Sequence, residues 1–196
     1  MSGHRKRARR SDRRGYTLVE LMMALALFTV AVLGIISMQK VMVVSNAHAK
    51  NVSVAQRIAQ SWAAQLQLDA SRWRTDMTST DWLKLVDGGW TKPDYNAGRK
   101  FGKAFDALGS PLSDSAADLS RASYCASIRI TTLYSDSQPV MGNGMVRAEI
   151  RVYWLRDGAS TLDDGICGGS ELQLNTASDR YHFVYHTAGI RQQASI

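Results

Sequence analysis

Two apolar patterns divide the chain. From Tyr16 to Gln39 nearly every position is apolar, and Glu20 is the one charge among those 24 residues. A helix of that length runs about 36 Å, enough to cross a hydrocarbon core of about 30 Å. Beyond it the pattern becomes one-sided. Val52, Ala55, Ile58, Ala59, Trp62 and Leu66, preceded by Val44 and Ala47, recur at spacings of three or four, while Asn51, Gln56, Arg57, Gln60 and Gln65 are polar. One helix from about Thr17 to Ala70 accounts for both patterns. An Ala-rich composition without Pro favours its continuity, and Gly34 is the clear weak point, where local unwinding would fall.

The last third alternates with the period of a strand. In Met145–Leu155, Val146, Ala148, Ile150, Val152 and Trp154 fall on one face, and Arg147, Glu149 and Arg151 on the other. Ser123–Tyr134 alternates likewise, and Glu171–Asn175 and Tyr181–Tyr185 read as two further strands. Gly142-Asn143-Gly144 and Asp157-Gly158 punctuate this region. Between helix and strands, Asp81–Val86 reads as a short helix before the Asp87-Gly88-Gly89 turn, and Asn96–Ser120 reads as loop. The predicted fold class is α+β. A long amino-terminal helix packs its second half on a carboxy-terminal antiparallel sheet of three or four strands. Trp62 is its core anchor, and Trp73, Trp82 and Trp90 are read first as core cover, with exposed ligand-binding Trp as the competing reading.

Charge changes the picture at one end only. Residues 1–15 carry six Arg and one Lys against one Asp, a net +6 of the total +7. The rest, at +1, has no long-range attraction for DNA, so no direct nucleic-acid partner is expected. A basic tail abutting an apolar span stays on the cytoplasmic side and sends the downstream chain across the membrane. The two cysteines, Cys125 and Cys167, both fall in that exported part, where a disulfide is permitted. The expected bond ties a loop to the first strand.

Glu20 needs an explanation, because a carboxylate at the centre of a membrane helix costs about 2.5–3.5 kcal/mol. An ordinary secretory signal is too short and lacks a cleavage site here, and a plain signal anchor leaves Glu20 unexplained. Gly15-Tyr16-Thr17-Leu18-Val19-Glu20 resembles the type IV prepilin motif, in which Gly precedes an aromatic or apolar residue and then Thr-Leu-x-Glu. Tyr16 stands where Phe or Met is commoner. The resemblance implies cleavage by the prepilin peptidase between Gly15 and Tyr16, then methylation of the Tyr16 amine. It also implies that Glu20 pairs with the amino terminus of a neighbouring subunit, since a charge in an apolar setting must be paired.

By that resemblance residues 1–15 are a cleaved leader, 16–39 a transmembrane and filament-core helix, 40–70 its amphipathic half and 71–196 a periplasmic head. Leu33–Gln39 and the Gln- and Ala-rich helix after it resemble the PilV-like minor pilins. The implied partners are other minor and major pilins and the inner-membrane assembly machinery. The implied location is the inner membrane, amino terminus in the cytoplasm, and then the cell surface within the pilus. The resemblance implies roles in motility, adhesion or assembly priming, with a secretion pseudopilin and a tip adhesin as alternatives.

Candidate chemistry is sparse. No nucleophile elbow, phosphate loop, HExxH or EF-hand pattern is present, and neither an enzyme nor a cofactor is expected. His182 and His186 share one face of a strand, and Asp157, Asp163 and Asp164 form an acidic loop. Their spacings match no metal cage, and ordinary surface residues are the simpler reading.

Overall fold

A computed structural model describes residues 17–73, 77–86, 88–134, 144–156 and 165–192. The Gly15–Tyr16 junction, the acidic loop of Asp157, Asp163 and Asp164, Asp87 and the Gly142-Asn143 pair therefore lie outside the described residues.

Helix α1 runs from Leu18 to Ala70, unbroken at Gly34, where an added Cβ would meet nothing within 4 Å. The chain forms two compact units, one ending at His48 and the other beginning at Ala49. In the second unit, α1 buries Ala55, Ile58, Ala59, Trp62 and Leu66, the stripe the sequence spacing predicts. Trp62 is wholly enclosed, with the rings of Trp82 and Phe101 edge-on at 5.2 and 4.8 Å. Truncating such an anchor to Ala costs about 3–5 kcal/mol.

The sheet has five antiparallel strands, one more than the upper expectation. They are β1 (Ala104–Phe105), β2 (Pro111–Leu112), β3 (Tyr124–Tyr134), β4 (Met145–Leu155) and β5 (Tyr181–Arg191), in the order β2-β1-β3-β4-β5. β1 and β2 have two residues each, too short to display a period. They lie in the stretch expected to be loop, which also holds a one-turn helix, α2 (Ala116–Leu119), capped by Ser115. The expected Asp81–Val86 helix is a single tight turn at Leu83–Leu85.

Register explains the two faces. Ile128 pairs with Ile150, Ala126 with Val152 and Ile130 with Ala148 on the helix side, all 1% exposed or less. Tyr124, on the same face, donates its hydroxyl to Asn51 Oδ1 of α1 at 3.0 Å. Cys125 with Tyr153, Ser127 with Arg151 and Arg129 with Glu149 pair on the other face. That face is not all solvated, as its alternation suggests. Ser127, Arg151 and Tyr153 are buried there, with Glu171 of the covering segment 165–180 and the Trp90 ring against Arg151.

The covering segment corrects one expectation. Glu171–Asn175 is not a strand but part of helix α3 (Glu171–Thr176). Ser170 Oγ accepts from Gln173 N at 3.3 Å, and Gln173 Oε1 accepts from Ser170 N at 2.6 Å. This reciprocal capping box satisfies two donors that would otherwise be orphaned at a helix start. The Cys125–Cys167 disulfide, with Cα atoms 5.4 Å apart, fastens the segment to β3.

Candidate functional site

The amino-terminal half of α1 is the most unusual surface of the molecule. Between Leu18 and Val44, seventeen large apolar side chains are 49–74% exposed. Soluble monomers rarely leave so large a continuous apolar area in water, so it needs lipid or other protein chains around it. Length and composition suit a membrane crossing, and this is the one such helix among the described residues. Its hydroxyls are fitted for the same setting. Thr29 Oγ1 donates to Ala26 O at 2.7 Å and Ser37 Oγ to Gly34 O at 2.8 Å. Each thus meets its hydrogen-bonding need within its own helix.

Thr17 and Glu20 open this helix together. Glu20 N donates to Thr17 O at 3.0 Å and to Thr17 Oγ1 at 3.3 Å. Thr17 therefore stands as the cap, and Thr-x-x-Glu is a capping-box sequence. The local signal is legible in the sequence beside the prepilin resemblance. Glu20 sits exposed in the first turn, where the helix dipole favours a carboxylate. Its side chain thus stands at the start of the apolar surface. Gly15 and Tyr16, the predicted cleavage and methylation positions, lie outside the described residues.

In the second unit, sequence reasoning missed a buried ionic cluster on the outer face of the sheet. Arg151, 3% exposed, donates from Nη1 and Nη2 to Glu171 Oε1 and Oε2 at 2.8 and 2.5 Å. Its Nε and Nη2 also reach Ser127 Oγ at 3.2 and 3.0 Å. The Trp90 ring lies against two guanidinium groups, with Arg151 at 4.5 Å and Arg129 at 5.0 Å from its centre. Lys92 Nζ donates to the carbonyls of Cys167 and Gly169, and burial pushes its pKa down to about 8 against the pull of Glu171. The hydrogen bond from Arg129 holds Glu149 below the usual carboxylate range.

This cluster ties the covering segment to the outer face of the sheet. Its cations are matched to carboxylates or carbonyls, and two of its faces are aromatic. Trp73 and Trp82 lie in the core, and Trp90 is half-buried against the arginines. His182 and His186 share the helix-side face of β5, opposite Trp154 and Ile150. Among the described residues no group of three His, Cys, Asp or Glu is placed to hold a metal.

Residues 10–36 match the family model for the prokaryotic N-terminal methylation motif. The match spans the last six residues of the basic leader, the Gly15–Glu20 hexapeptide and the first part of the apolar helix. No curated protein and no solved structure matches the chain.

Proposed function

We propose that this type IV pilin-like protein is a minor pilin, cut between Gly15 and Tyr16, methylated on the new amine and built through α1 into a type IV pilus. In this reading it primes filament assembly or helps to form the tip, with the leader in the cytoplasm and the head in the periplasm before assembly. The observation that carries the reading is the first half of α1. It is a predominantly apolar, exposed helix, capped by Thr17 with Glu20 in its first turn, and its start lies within the methylation motif. Membrane lipid covers such a surface before assembly, and the same surfaces of neighbouring subunits cover it afterwards. Glu20 then favours one register, because its cost in the apolar interior is offset when a neighbour's amine arrives.

The assignment to a minor rather than a major subunit rests on the resemblance of Leu33–Gln39 and the rest of the helix to PilV-like proteins. The role is structural, not enzymatic, and its partners are other pilins, the prepilin peptidase and the assembly machinery. A tip adhesin built on exposed Trp residues is less well supported, because Trp73 and Trp82 are core residues.

Surface pili are counted in a deletion strain, and secreted protein is assayed from the same culture. Few or no pili with normal secretion supports the minor pilin. Normal pili with lost secretion moves the protein to the pseudopilins of a type II secretion system.

A further inference from the structure

We propose that the outer edge of β5 receives an extended, acidic segment of a neighbouring subunit as a sixth strand of the sheet. The inference rests on the reading of the chain as a filament subunit and names one of its contacts.

The two edges of the sheet are built differently. At one end β2 offers two residues, the first of them Pro111, which has no N–H to give. That is an edge closed to further pairing. At the other end β5 is eleven residues long and pairs with β4 from Met145–Arg191 to Leu155–Tyr181 without a shift in register. It contains no Pro and no Lys, and no bulge turns it away. Among the described residues no strand pairs with its outer side. Natural sheets rarely leave a long, regular edge without such devices unless something covers it.

The chemistry along the edge selects the occupant. The ionisable residues of β5 other than its tyrosines are His182, His186 and Arg191, all basic. Arg147 stands beside Gly189 on β4. Glu149, opposite Thr187 on β4, is already engaged with Arg129 at 2.6 Å, and Glu171 with Arg151 at 2.5 Å. An incoming strand with a carboxylate meets unlike charge at Arg191. A second copy of β5 brings His186 and Arg191 to an edge that is itself basic, so self-pairing is disfavoured.

The edge also has places for side chains. On the helix side a cleft of about 170 Å³ opens beside it, lined by Gln56, Gln60, Ala59, Val184, Tyr185 and His186. Two amides and an imidazole suit one polar side chain of the added strand. On the outer face Tyr185 is 61% exposed and gives that strand apolar area to cover. Backbone pairing with pockets for alternate side chains is the general mode of strand addition.

The test uses the full chain. Arg191→Glu places a carboxylate where the incoming carboxylate would meet the guanidinium, so attraction becomes like-charge repulsion. The expected result is at least a tenfold fall in the amount of chain recovered with sheared filaments. Leader removal, the disulfide and the melting temperature in detergent stay at parental values. Leu108→Lys, away from this edge, incorporates normally. Recovery of Arg191→Glu within twofold of the parent overturns the proposal.

A second readout needs no substitution. Amides of residues 181–191 exchange with deuterium in the detergent-purified chain and are protected at least tenfold further in filaments. Incorporation of the parent chain with unchanged exchange overturns the β5 contact alone. Absence of the parent chain from filaments overturns the minor-pilin reading and the contact with it. Protection that is present in the isolated chain and disappears on dilution shows a second copy in the place assigned to a different subunit, and also overturns the proposal.

Discussion

Replacing Asp69 tests how the head is held to the end of α1. Asp69 is wholly buried in the last turn of the helix. Its carboxylate accepts from the backbone N–H of Asp81, Trp82 and Leu83 at 2.9, 2.8 and 3.1 Å, and from Arg99 Nη2 at 3.2 Å. One side chain thus starts the Leu83–Leu85 turn and fixes the loop that brings Trp82 and Phe101 against Trp62. Asp69→Ala leaves three backbone donors without their acceptor and removes one partner of a half-buried arginine. Arg99 keeps Asp81 at 2.7 Å, which limits the loss. Breaking a buried pair of this kind costs about 3–5 kcal/mol. At about 2–4 °C per kcal/mol for a domain of this size, the melting temperature falls by about 6–20 °C. The assay is thermal unfolding of the detergent-purified chain by near-ultraviolet circular dichroism. Asp94→Ala serves as the control, since Asp94 is 91% exposed against Lys103 and such a pair is worth under about 1 kcal/mol. A melting temperature for Asp69→Ala within about 2 °C of the parent, a shift of under about 1 kcal/mol, or an equal fall for Asp94→Ala, refutes the reasoning.

Three further outcomes are expected. Glu20→Ala leaves leader removal intact but keeps the chain out of filaments; normal recovery in sheared pili contradicts the role given to that carboxylate. Removing both Cys125 and Cys167 as Ser opens a loop of 42 residues and costs about 4 kcal/mol in the chain-entropy model. Limited proteolysis then cuts within 165–180, and an uncut segment speaks against the disulfide as its fastener. Burial lowers Lys92 from 10.5 to about 8, so between those values the unfolded chain binds the proton more tightly and stability rises with pH. The urea midpoint of the parent relative to Lys92→Met therefore grows from about pH 7.5 to about pH 10, and a constant or shrinking difference contradicts the placement of Lys92.

Long, strongly periodic elements are legible in the sequence. Continuous apolarity followed by a one-sided stripe has no reading but a helix like α1, and the alternation in β3 and β4 fixes which residues face it. The parts that are not legible depend on distant partners. Arg151 reads as a solvent-facing residue because Glu171 and the segment that covers it come after a long excursion of the chain. Glu171–Asn175 reads as a strand because Leu172 and Leu174 are two apart. Only Leu174 is buried, while Leu172 is 76% exposed, and the Ser170–Gln173 capping box is the better signal. The sequence pattern carries β5 only as far as Tyr185 because Thr187, Ala188 and Gly189 continue no clear alternation; pairing with β4 extends it to Arg191. At the candidate site, Glu20 stands out by its cost alone. Its link to Thr17 requires noticing that the same four residues also begin a helix.

The central claim is that α1 is exposed, processed and assembled as a pilin helix. The most direct measurement is mass spectrometry of the amino-terminal peptide of this chain from sheared, purified pili. The account predicts a peptide that begins at Tyr16 and carries one added methyl group on its amine. A chain recovered with residues 1–15 still attached, or absent from pili while abundant and processed in the cell, contradicts it.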